Sequence, residues 1–151
     1  MSTTDQMAWV VGVGYEGYDL DSFIRRLRGE DVTLLIDVRL TPISRKRGFS
    51  KSALSRALAD SGIVYEHMRE LGNPKWNRAG FAGGPGELGT AREIYEKLLD
   101  QDQARGCVER IAEAVRRERV AVMCFEADEC RCHRDLVLRA VRARFSYAIS
   151  A

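Results

Sequence analysis

Three short runs, Ala8–Val13, Val32–Val38 and Val120–Phe125, are apolar at successive positions rather than at alternate ones. A strand of that kind needs cover on both faces, which restricts the chain to sheets sandwiched between other layers. Between the runs, apolar residues recur at the spacing of one helical face: Leu20, Phe23, Ile24 and Leu27; then Ala53, Leu54, Ala57 and Leu58; then Ile94, Leu98 and Leu99; then Val108, Ile111, Ala112 and Val115. Strand and helix therefore alternate. The pattern predicts a three-layer α/β fold, with a mostly parallel sheet and helices on both faces. At 151 residues and 45% hydrophobic content, the chain suffices for one core. It reads as a flexible tail over residues 1–7 and a single α/β domain over 8–151.

The remaining elements are less strongly written. Ile63–Met68 is a more polar strand suited to a sheet edge, and Phe145–Ile149 reads as a further edge strand. Asp19 or Asp21 is placed to cap the first helix, Ser50 to cap the second, and Thr90-Ala-Arg-Glu93 fits a capping box. From Leu71 to Gly89, glycines at 72, 80, 83, 84 and 86 and prolines at 74 and 85 predict an irregular, functional loop. No apolar run approaches the ~20 residues of a membrane span, so no membrane partner is expected. The N-terminus lacks the pattern of a signal peptide, which makes a cytoplasmic location the expectation. In that compartment the cysteines at 107, 124, 130 and 132 read as free thiols, ligands or reactive groups.

In parallel sheets ligands bind outside the carboxyl ends of the strands. Those ends carry Gly14-Tyr15, Asp37-Val-Arg39 and the crowded segment Glu126–Arg134. Cys132 lies at a helix N-terminus between Arg131 and Arg134, where its thiol ionises more readily, so it is the candidate nucleophile. His133 is adjacent, but neighbours on a helix point in different directions. Asp37 and Arg39 share a face of the sheet, either as a structural ion pair or with Arg39 gripping an anion and Asp37 orienting it or acting as a base. Glu126 is the second acid/base candidate. Arg39, Arg45 and Arg134 are the expected anion cradle, supported by Ser44 and Tyr15. Trp76 and Arg78, on the glycine-rich segment, suit base stacking and phosphate contact.

Two other chemistries compete with this one. Cys130, Cys132 and His133, with Cys124 on the strand, offer soft ligands but lack the second, well-separated ligand pair usual in structural zinc sites, so no metal is expected. Gly12, Gly14 and Gly17 reproduce Gly-x-Gly-x-x-Gly, with Asp37 as the acidic residue further on, but Tyr18-Asp19 delays the helix. No cofactor is therefore expected.

Seven segments occur in the order found in a known family: Val13-Gly-Tyr-Glu-Gly17, Asp37-Val-Arg39, Pro42-Ile-Ser-Arg45, Phe49-Ser-Lys51, Gly62-Ile-Val-Tyr65, Leu71-Gly-Asn-Pro74 and Cys132-His-Arg134. Over roughly residues 9–144 the chain resembles the family called "domain of unknown function 488". Tyr15 stands where many members carry histidine, and Cys130 looks like an addition to a simpler Cys-His-Arg ending. The resemblance implies a Rossmann-like layering and no assigned activity. The residues favour an enzyme acting on a phosphate-bearing, nucleotide-like or nucleic-acid ligand in a strand-tip crevice. A non-catalytic module for nucleic acid or a nucleotide, and a thiol redox or sulfur-handling protein, stay open as alternatives.

Overall fold

The computed structural model describes residues 9–150. The expected tail at 1–7 lies outside the described residues. The chain runs β1 (Val10–Gly14), α1 (Leu20–Gly29), β2 (Leu34–Asp37), α2 (Lys51–Asp60), β3 (Val64–His67), α3 (Lys75–Phe81), α4 (Pro85–Leu99), α5 (Asp102–Val115), β4 (Val120–Cys124) and α6 (Arg134–Ser150). Short 3-10 turns occupy Arg69–Leu71 and Glu129–Arg131. All strand pairs are parallel, in the order β1-β4-β2-β3. This is the three-layer, Rossmann-like α/β arrangement that the apolar runs predict.

Side-chain alternation along β4 divides the core in two. Ala121 and Met123 face α1 and α2, packing with Phe23, Leu27, Leu54 and Leu58. Val120, Val122 and Cys124 face α4, α5 and α6, packing with Tyr95, Ile111, Val137 and Leu138. Each large apolar side chain buried this way contributes about 1.5–3 kcal/mol relative to exposure. Right-handed crossovers explain the division. The chain moves one way along the sheet from β1 through β2 to β3, then returns to insert β4 between β1 and β2. Connections in opposite directions place their helices on opposite faces. The carboxyl ends of β1 and β2 thus lead to one layer, and that of β4 leads to the other.

Four local expectations are corrected. The 71–89 segment is largely helical. Pro85 occupies the first turn of α4, where its missing N–H is not needed. A Cβ on Gly80 would lie 2.7 Å from Cβ of Ala91, so that glycine permits close contact between α3 and α4 rather than marking a loop. Thr90 sits inside α4 and donates to the Gly86 carbonyl instead of capping. Ser50 precedes α2 without capping it, because its hydroxyl is exchanged with the backbone of Ser44. The strand expected at 145–149 is instead a continuation of α6. Asp19 does cap α1: it accepts from Ser22 N–H at 2.8 Å, and its own N–H donates to the Ser22 hydroxyl.

Candidate functional site

The segment between β4 and α6 folds back over the carboxyl end of β1. Tyr15 N–H donates to Cys124 C=O and Glu16 N–H to Phe125 C=O, at 3.2 and 2.8 Å. Two glycines on one face of β1 make room for it. A Cβ on Gly14 would lie 1.9 Å from the Glu126 carbonyl, and one on Gly12 would lie 1.8 Å from the Glu129 carboxylate. The Gly-x-Gly-x-x-Gly spacing therefore serves a protein-to-protein approach, and the space a pyrophosphate would need there holds Glu126 and Glu129.

Arginines fix the shape of this loop. Arg134 is buried and donates to the carbonyls of Glu126 and Ala127, with Glu129 3.5 Å from its Nε. Arg92 of α4 donates to Cys130 C=O and to the Asp135 carboxylate, at 2.9 and 2.7 Å. Carbonyl oxygens pointing inward need donors, and these guanidinium groups supply them.

Cys124 at the end of β4 meets Cys132 and His133 ahead of α6. Their two sulfurs and the imidazole Nδ1 all lie within 4.8 Å of one another, and all three residues are buried. His133 Nδ1 is 3.9 Å from Cys124 Sγ and 3.8 Å from Cys132 Sγ. Its Nε2 lies 2.8 Å from the Val38 carbonyl, an oxygen that can only accept, so Nε2 carries a proton and Nδ1 is the nitrogen turned toward the thiols. The expected divergence of Cys132 and His133 is thereby corrected. Cys132 precedes the helix in an extended conformation (φ −133°, ψ 142°), so helical geometry does not separate the two side chains.

Electrostatics split the two thiols. Burial opposes charge on Cys132, yet the Cys124 thiol, the His133 ring and the Arg134 charge outweigh it and hold its pKa well below the ordinary thiol value. Cys124, which shares a hydrogen with Cys132 and is also buried, is pushed well above it. Cys124 Sγ lies 3.5 Å from Glu126 Oε2. Burial first, and then the neighbouring Cys132 sulfur, raises the Glu126 carboxyl.

These groups form the floor of a cavity of about 150 Å³, with Tyr15, Arg39, Asn73, Arg78, Phe125 and Arg131 among its lining. The guanidinium groups differ in what they have left to give. Arg39 spends Nε on Asp37, Nη1 on Tyr15 and the Phe49 carbonyl, and one Nη2 hydrogen on Asp37. Arg131 spends Nη1 on the carbonyls of Phe81 and Gly83. Arg78 spends Nε on Asn73 C=O, and among the described residues its terminal nitrogens have no hydrogen-bond partner.

Of the residues singled out from sequence, Tyr15, Arg39, Arg78, Glu126 and Cys132 line this cavity. Asp37 lies beneath it with no exposed surface, held by Arg39 at 2.7 Å and by the Tyr65 hydroxyl. Arg134 is behind the loop rather than in the cavity. Arg45 is exposed on the basic segment, and Ser44 accepts from Lys46 N–H within that segment. Trp76 is 70% exposed and lines a separate groove with Asn77 and Glu87. Two positions apart on a helix, Trp76 and Arg78 cannot share a face. Sequence reasoning gave no role to Asn73, which also lines the cavity, and it set Cys124 and His133 aside as an incomplete ligand set.

Among the described residues, no helix is long and apolar enough to cross a membrane. No curated protein and no solved structure matches the chain. One family model does, described as "Domain of unknown function DUF488", over residues 19–141. That span covers most of the fold and includes Arg39, Arg78, Cys124, Glu126, Cys132 and His133, and on it the chain belongs to the DUF488 family.

Proposed function

We propose that the protein is an enzyme acting on a small phosphate-bearing, nucleotide-like substrate in the strand-tip cavity. One observation carries the reading: a single cavity joins free guanidinium donors, chiefly those of Arg78, to the Cys124, Cys132 and His133 floor. Arginine's planar fork suits a phosphate, and a buried cluster of soft donors with a neighbouring carboxyl suits chemistry upon it.

Size narrows the substrate. Ligand pockets for whole drug-sized molecules run to about 300–1,000 Å³, so about 150 Å³ admits one phosphate-sized group and leaves the remainder at the mouth. Ile43 and Phe125 line the cavity and are 74% and 41% exposed, giving that mouth an apolar rim against which a base can rest. Glu126, whose carboxyl is raised by burial, is the acid/base candidate.

Calorimetric titration with inorganic phosphate and with nucleoside monophosphates tests the reading. The expected result is binding that Arg78→Ala weakens at least tenfold, with turnover of a phosphate ester lost in Cys132→Ser. Binding with no turnover of any ester would support the non-catalytic module instead. Absence of anion binding would sink the proposal.

A further inference from the structure

From the donor set at the cavity floor we infer that Cys124, Cys132 and His133 hold a divalent metal ion of the zinc class. The inference rests on the substrate reading above and adds the centre at which the substrate reacts.

Donor chemistry comes first. Two thiolates and one imidazole are the soft and borderline ligands that zinc takes, and three protein ligands with one open position are the pattern of catalytic rather than structural zinc. Cys124, Cys130, Cys132 and His133 are soft donors close in sequence but lack the second, well-separated pair of a structural site. The fold brings Cys124, Cys132 and His133 together and leaves Cys130 exposed.

Distances agree. With metal–sulfur bonds of about 2.3 Å and metal–nitrogen bonds of about 2.0–2.1 Å, a tetrahedron has S···N edges of about 3.6 Å and an S···S edge of about 3.8 Å. The observed S···N separations of 3.8 and 3.9 Å exceed the ideal edge by a few tenths of an ångström. The three donors lie within 4.8 Å of one another.

The outer contacts also agree. Histidine ligands characteristically donate their second ring N–H to a carbonyl or carboxylate, which fixes the tautomer. His133 Nε2 makes that bond to Val38 C=O at 2.8 Å and leaves Nδ1 for the ion. Tyr95, packed edge-on to the imidazole at 5.1 Å, holds the ring plane. All three residues line the cavity, and the Glu126 carboxyl lies 3.5 Å from Cys124 Sγ, so an ion held there would be reachable from the cavity. An ion there would lower the pKa of a bound water and polarise a phosphoryl oxygen. Cys132 then acts as a ligand rather than as the attacking thiol.

The test uses the full chain, stripped with a chelator and reloaded separately with zinc and with cobalt(II). One equivalent of zinc per chain is expected to survive gel filtration. Cobalt is expected to give thiolate charge-transfer absorption with the intense visible bands of a tetrahedral site. Cys124→Ser, Cys132→Ser and His133→Asn should each lower zinc affinity at least tenfold, while Cys130→Ser retains the full equivalent. A folded wild-type chain, judged by circular dichroism, that retains no zinc and shows no cobalt–thiolate absorption overturns the inference whatever the variants do. Phosphate binding that depends on Arg78 in such a chain would leave the substrate reading standing alone. Zinc retention without any phosphate binding would overturn that reading and keep the metal site.

Discussion

His133 places Nε2 against the carbonyl of Val38 at 2.8 Å, tying the turn before α6 to the end of β2. That bond reaches across 95 residues of sequence and decides which imidazole nitrogen faces Cys124 and Cys132. Because Val38 contributes only its backbone, no substitution there removes the acceptor. The ring itself is the vulnerable partner.

The Asp37–Arg39 pair is buried beneath the cavity, and Asp37 also accepts from Tyr65. Burial opposes charge on Arg39, but its bonds to Asp37 outweigh that and raise its pKa. Removing one partner of such a pair strands the other. Asp37→Ala is expected to cost about 3–5 kcal/mol in urea unfolding, and Tyr65→Phe about 1 kcal/mol. Equal losses for the two would mean that the hydroxyl, not the ion pair, carries the stability.

Gly14 and Gly89 predict opposite signs for the same substitution. At Gly14 a Cβ meets the Glu126 backbone at 1.9 Å, so Gly14→Ala should cost about 1–3 kcal/mol by overpacking and displace the site loop. At Gly89, exposed within α4, nothing lies within 4 Å of an added Cβ. Gly89→Ala should stabilise by about 0.4–1 kcal/mol. Thermal denaturation of both variants checks the pair.

Trp76 and Arg78 are separable. Arg78→Ala should weaken phosphate binding at least tenfold, whereas Trp76→Ala should leave it unchanged, because its ring lines another groove. A Trp76→Ala variant that binds phosphate as poorly as Arg78→Ala would place the anion on the wrong side of α3.

Glu126 carries a pH signature in the metal-free protein. Its carboxyl is raised in the folded state by burial and by Cys132, so the native chain binds more protons than the unfolded chain between the two pKa values. Stability contributed by the protonated group is full below the unfolded value and declines as pH rises through the folded one. Glu126→Gln should therefore gain stability relative to the wild type at neutral pH and lose that gain on acidification. A stability difference that does not change with pH would contradict the shift.

Much of the scaffold was legible because its signals are local. Val32–Val38 and Val120–Phe125 are strands because continuous apolar runs leave few alternatives, and Asp19 caps α1 through a side chain three residues from its partner. The failures share another cause. Gly80 reads as a loop residue until Ala91 is seen against it, and Ser50 reads as a cap until Ser44 takes its hydroxyl. At the site, Arg39, Glu126 and Cys132 followed from the rule of strand ends. What could not be read was the donor count of each arginine, which depends on carbonyls such as those of Phe81, Asn73 and Ala127. Arg134 and Arg78 are chemically alike in sequence, but Arg134 turns its terminal nitrogens to loop carbonyls, whereas those of Arg78 make no hydrogen bond among the described residues.

The placement of β4 between β1 and β2 has a consequence for assembly. Val120–Cys124 pairs with β1 on one side and, over Val120–Met123, with β2 on the other. During synthesis, the two earlier strands must wait for a segment about 80 residues beyond β2 before the sheet's middle exists. The thiols and imidazole of the floor arrive on that same segment. Completion of the hydrophobic sheet and assembly of the cavity floor thus depend on the same segment, and a partly made chain has the apolar strands without these three groups.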